Sequence, residues 1–167
     1  MTVNTANFTE QGGSNTVIGG TLTVSATGSI VNAPVALTAA TVAASSLQPG
    51  KVHTLNRAAG IVTTLPAASG TGNTYGFHVL TAVTSNAYVV QVANSTDVMQ
   101  GHGQIIGATF GKFATAASSD TATLNGSTTG GLAGSYIEVQ DVAAGFWRVL
   151  ARGNGSGSPA TPFSAAV

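Results

Sequence analysis

From Lys51 onward, apolar residues recur at every second position in short runs, and each run ends at glycine, proline or small polar residues. A period of two marks strands with one face buried. KVHTLN (51–56) and IVTTLP (61–66) read as two strands joined by a hairpin-like turn from Arg57 to Gly60. Pro66 ends the second, because it has no N–H to give to a ladder. Tyr75, Phe77 and Val79 share one face of the next strand, and Tyr88, Val90 and Val92 share one face of the strand after it. The clearest pair is SYIEVQDV (135–142) and FWRVLA (146–151), turning at Ala143 to Gly145. There Ile137 and Val139 face the core together with either Phe146 and Leu150 or Trp147 and Val149. Good helix formers are rare, whereas Thr, Val and Gly are frequent. The prediction is all-β: a jelly-roll-like antiparallel β-sandwich over residues 49–153, preceded by an extended N-terminal arm.

The arm is residues 1–48, where alternation is scattered and Phe8 is the one aromatic residue. Ile18, Leu22, Val24 and Ile30 line an apolar edge with glycines at the turns, a spacing like one rung of a β-solenoid or an intertwined stalk. One rung cannot bury its own face, and small residues offset little of the roughly 1–2 kcal/mol needed to order each backbone residue. Such a segment is expected to order against something else. At the other end, residues 154–167 form a Gly/Ser-rich tail that closes on an anchor-like Pro162 and Phe163, either a docking peptide or a frayed end.

Charge changes the picture. Only 6% of the 167 residues are Asp, Glu, Lys or Arg, against about 25% in ordinary soluble domains. Nothing between Glu10 and Lys51 is charged. The apolar runs are far short of the roughly 20 residues of a spanning helix, so no membrane role is expected. The opening residues have neither the basic nor the apolar region of a secretory signal. Chains that repel themselves so weakly tend to associate, which points to a surface covered by identical neighbours. A net charge of zero, with Lys51, Arg57, Lys112, Arg148 and Arg152 scattered along the chain, argues against nucleic acid as a partner. There is no cysteine, hence no disulfide or thiolate chemistry.

Catalytic patterns are not met. His53, His78 and His102 lie in three separate elements without metal-ligand spacing, so neither a metal nor a cofactor is expected. No nucleophile elbow supports a serine hydrolase. Glu138 and Asp141, three apart near a strand end, would point to opposite faces of a continuing strand and make a poor glycosidase pair. The stretch from Gly107 to Phe113 resembles a phosphate loop, but it has three residues between its glycines and Phe113 where a magnesium-binding hydroxyl belongs. The chain is read as not an enzyme.

One block is more specific. LPAASGTGNTYGFHVLTAVTSNAYVVQVANSTDVMQG (65–101) resembles a pattern in the head decoration and minor capsid proteins of tailed bacteriophages. There it follows a segment like Gly20, Leu22 and Val24 with Gly28 and Ile30, and the ending GSYIEVQDVAAGFWRVLARG is similar too. The resemblance covers residues 17–31 and 61–153. The chain departs from the pattern at Gly76 and His78, which flank Phe77 where a basic residue is usual. The resemblance implies a virion protein on the outer capsid surface: a homotrimeric cement that binds the major capsid protein lattice and stabilises it. Phe8, Ile18, Leu22, Val24, Ile30 and Phe163 are the expected capsid or trimer contacts. The alternative is a trimeric tail-fibre or receptor-binding module; one Trp and three Tyr are poor provision for stacking on sugars, and a host-surface glycan partner has no support in the sequence.

Overall fold

The structure, a computed structural model, describes the backbone of residues 7–9 and 16–18 and all of residues 32–167. The chain divides into two compact units, Met1–Asn32 and Ala33–Val167. In the first, β1 (Asn7–Thr9) pairs antiparallel with β2 (Thr16–Ile18), which sets Phe8 opposite Val17 and Ile18 opposite Asn7. Of the other arm positions singled out from the sequence, Leu22, Val24 and Ile30 lie outside the described residues.

The second unit is the expected β-sandwich, but its sheets are mixed, with parallel as well as antiparallel pairs, rather than antiparallel throughout. Its chain order is β3 (Val35–Leu37), β4 (Thr41–Val42), a single 3-10 turn at Ala44–Ser46, β5 (Val52–Leu55), β6 (Ile61–Thr64), β7 (Thr74–Val79) and β8 (Tyr88–Gln91). There follow β9 (Val98–Ile106), β10 (Phe110–Ala114), β11 (Thr121–Leu124), β12 (Tyr136–Ala143), β13 (Phe146–Asn154) and β14 (Phe163–Ser164). One sheet has the order β10-β9-β13-β12-β7-β5-β3, and the other β14-β11-β8-β6-β4.

The first half is a stack of three arches, each crossing from the larger sheet to the smaller. Strands β3, β5 and β7 pair in parallel on one side, and β4, β6 and β8 on the other. The registers bring Leu37, Leu55 and Val79 into one buried ladder and Val42, Thr63 and Val90 into the ladder of the facing sheet. Each fully buried aliphatic side chain contributes about 1.5–3 kcal/mol. The arches are therefore held by the contact between their two arms.

This overturns the hairpin expected at residues 51–66. β5 and β6 do not pair; they lie in opposite sheets with His53, Leu55, Ile61 and Thr63 all facing inward. The turn between them is closed by Gly60 N–H donating to the Arg57 carbonyl (3.0 Å) and the Arg57 guanidinium donating to the Gly60 carbonyl (2.8 Å). Tyr88 reaches the same turn from the next arch. Its hydroxyl accepts from Arg57 N–H at 3.1 Å and donates its one proton to the carbonyl of Arg57 (2.8 Å) or Thr81 (2.7 Å). Gly60, at φ +80°, has no room for a side chain, because a Cβ would meet the Ala87 carbonyl.

The sandwich also begins earlier than expected. Residues 33–48 belong to it rather than to the arm, since Leu37, Val42 and Leu47 are buried in its core. The tail is likewise part of the fold. β14 pairs antiparallel with β11, placing Phe163 opposite Ala122, and the Phe163 ring is buried in the core of its own chain. Phe163 is thus not available as a contact for a neighbour.

In the second half, β12 and β13 form the expected hairpin, β12 continues antiparallel onto β7, and β13 pairs in parallel with β9. Trp147 and Val149 face inward with Ile137 and Val139, which resolves the two faces left open by the sequence. Among the described residues no helix is long and apolar enough to cross a membrane.

Thr63 is the exception in its ladder: its hydroxyl is buried between Val42 and Val90 with no hydrogen-bond partner among the described residues. An unmatched buried hydroxyl costs about 1–3 kcal/mol, and valine has nearly the same shape. Thr63→Val is therefore expected to raise the unfolding free energy by about 1–2 kcal/mol in urea titrations; a loss of stability would contradict the arch packing.

Candidate interaction surface

The described part of the chain has four carboxylates, and three of them are inside. Asp141 is on the inward side of β12 and gathers the loop after β6: it accepts from the backbone N–H groups of Ser69 (3.0 Å), Gly70 (2.7 Å) and Thr71 (2.9 Å). The Thr71 hydroxyl donates to it as well, at 2.7 Å. Burial pushes this carboxyl up, but the hydrogen bonds from Thr71, Gly70 and Ser69 outweigh it and hold the group below the ordinary 3.8. Asp97 accepts from Ala68 N–H at 2.8 Å. Asp120 takes the chain terminus, accepting from Ala166 N–H at 2.7 Å and Val167 N–H at 3.2 Å, with the Thr121 hydroxyl at 2.7 Å. For Asp120 too, burial raises the pKa and these donors bring it below 3.8.

Glu138 is on the opposite face of β12 from Asp141, as expected, and pairs with Arg148 across the hairpin at 3.0 Å. The two carboxyls do not share a site. The histidines are dispersed. His53 is fully buried, accepting from Gln48 N–H at Nε2 (3.1 Å) and donating from Nδ1 to the Gly76 carbonyl (3.2 Å), so it is the neutral Nδ1–H tautomer. Burial lowers its pKa below 6.5, partly opposed by the Gly76 bond. His78 and His102 are on the outer side of the larger sheet, on strands separated by β12 and β13. Among the described residues no cluster of His, Asp or Glu is able to hold a metal.

With the aspartates inside, the side chains on the outer face of the larger sheet set the character of that surface. Strand pairing assembles there three of the five basic residues, Lys112, Arg148 and Arg152. Registers define one row across the strands: Lys112 beside Gln104, then Arg152, Tyr136, His78 and Thr54. Tyr136 lies over Gly76, whose missing side chain makes room for the ring, since a Cβ there would meet the Tyr136 hydroxyl. Burial raises the Tyr136 pKa, and the charge and hydrogen bond of Glu138 add to this.

At the two ends of the same face are exposed apolar residues. Ile106 and Phe110 are cross-strand partners, 60% and 54% exposed, and Val142 and Phe146 beside the β12–β13 turn are 50% and 40% exposed. Eight strand residues, about 26 Å, separate the two ends. The basic residues form no cluster in the sequence because the three cations come together only through strand pairing. The signal within reach was the outward parity of Lys112, Arg148 and Arg152 in their runs.

Comparison of the chain with protein-family models, with curated proteins and with solved structures returns no match.

The Asp141 cluster makes a pH prediction. Because its pKa is depressed in the fold, the carboxylate's stabilisation is complete above 3.8 and is lost as pH falls through the lower folded value. Asp141→Asn is expected to lower stability by about 2–3 kcal/mol at pH 7 and to flatten the fall in stability below about pH 4. Urea titrations at pH 7 and pH 3 check this; an unchanged gap between the two pH values would refute it. His53 adds an earlier step: the stability it contributes is complete above 6.5 and decreases as pH falls below that value.

Proposed function

We propose that this chain is a structural virion protein, a decoration or cement protein that binds the outer capsid shell as a homotrimer and stabilises the major capsid protein lattice. The observation that supports this best is a nearly uncharged sandwich carrying Ile106, Phe110, Val142 and Phe146 outward on a single sheet face. Large exposed apolar residues in two pairs on an otherwise polar face are characteristic of surfaces that other proteins cover. A cement function needs no reacting group. It needs a rigid body and a repeated contact that gains strength from multivalency on a lattice. The internal use of Asp97, Asp120 and Asp141 to fix loops and the terminus suits such a body. The similarity of residues 65–101 to the phage head pattern points the same way.

The first unit, residues 1–32, takes the place in this reading of the longer arm expected from the sequence, with Phe8 and Ile18 on its two paired strands. A tail-fibre module is the competing assignment.

The test is addition of purified protein to shells that lack it. Binding is expected to saturate at a fixed ratio to the shell protein and to raise the shell's melting temperature, since a ligand of the assembled state alone stabilises that state. Unsaturable binding, or saturation without any rise in melting temperature, would contradict the assignment.

A further inference from the structure

The row across the larger sheet is more than a solvated strand face. Two hollows open on it, side by side. One, of about 290 Å³, is lined by His102, Gly103, Gln104, Lys112, Phe113 and Ala114. The other, of about 100 Å³, is lined by Gln104, Ile106, Gly134, Arg152, Gly153 and Asn154. Gln104 is the rib between them, and each hollow has one cation, Lys112 in the first and Arg152 in the second. Lys112 and Arg152 are two strands apart, about 10 Å. Neither is in an ion pair among the described residues; the one salt bridge found there joins Arg148 to Glu138. Farther along the row, Tyr136 lies over Gly76 with the His78 ring 6.5 Å from its own.

We infer that this row binds an acidic polysaccharide laid across the strands, with one acidic group in each hollow. Two cations at that separation match a polymer with an acid on every second sugar. The amide of Gln104 between them is both donor and acceptor, as the intervening sugar's hydroxyls require. Beyond Arg152, the Tyr136 ring offers an apolar face for the next sugar ring, and the His78 and Thr54 side chains supply polar edges.

Nucleic acid fits less well. Its charge density calls for many cations, and this row has two without carboxylate partners. An acidic protein fits less well too, because only two large exposed apolar residues are there to anchor it, Ile106 at the second hollow and Phe110 with the Lys112 ammonium 5.7 Å over its ring. A second copy of this chain would bring like charges together. The row shares its sheet face, and Ile106, with the surface of the shell-binding reading, but the inference does not depend on that role.

Titration calorimetry at low salt tests it with hyaluronate oligosaccharides, which carry a carboxylate on alternate sugars. Dextran oligosaccharides of equal length and oligo-dT are the comparisons. The intact protein is expected to bind hyaluronate and not dextran. Lys112→Ala and Arg152→Ala should each weaken binding by about ten-fold, the loss of one charge-assisted contact. Lys51→Ala removes the same charge just before β5, three strands from β13 and outside both hollows, and should leave affinity unchanged. All three side chains are at the surface, and unchanged thermal unfolding will show that each variant is folded. Absence of hyaluronate binding by the intact protein would overturn the inference. So would an equal loss in Lys51→Ala, which would reduce the effect to general charge, or equally tight binding of oligo-dT.

Discussion

The sandwich depends on how its long loops meet their backbone hydrogen-bonding needs without exposing charge. Asp141 is the centre of that solution. From the inward side of β12 it collects three successive N–H groups of the loop that leaves β6, more than sixty residues earlier in the chain. That fastens the loop to the β12–β13 hairpin just beyond the end of the β7–β12 ladder, where the bridge from Ser69 to Ala144 is the remaining strand-like pairing. Asp97 does the same for Ala68, the residue before those three, and Asp120 for the last residues described. Water would compete for these donors if the carboxylates were outside; inside, each bond is stronger and each loss costlier.

The surface follows from this arrangement. A chain neutral by count draws its aspartates inward and leaves its cations at the surface, so the larger sheet presents Lys112, Arg148 and Arg152 against Glu138 alone. Apolar residues occupy the ends of the same face. One face thus offers two kinds of contact: apolar patches suited to protein neighbours and a basic, hydrogen-bonding row suited to an acidic polymer.

The period of two was enough to assign faces. Tyr75, Phe77 and Val79, then Tyr88, Val90 and Val92, are all buried as the alternation requires. It was not enough to say which strands pair. A four-residue turn between two alternating runs looks the same whether the strands zip together or face each other across a core, and Arg57 to Gly60 does the second. The rung-like spacing noticed before residue 32 has its counterpart in the described structure only after it, in the three arches. Residues 33–48 looked like arm because their small side chains hide three large ones, Leu37, Val42 and Leu47, whose partners are distant in sequence. Phe163 looked like an anchor and is one, but for its own chain. The cation row was illegible for the same reason as the arches: it exists only once β9 lies between β10 and β13.

The proposed role makes this chain a repeated component of a capsid surface. The most direct measurement is its copy number in purified virions relative to the major capsid protein, by quantitative mass spectrometry. A cement protein is expected at a ratio within a few-fold of one, as lattice symmetry demands. A handful of copies per particle would contradict it and move the chain to the tail or a single vertex.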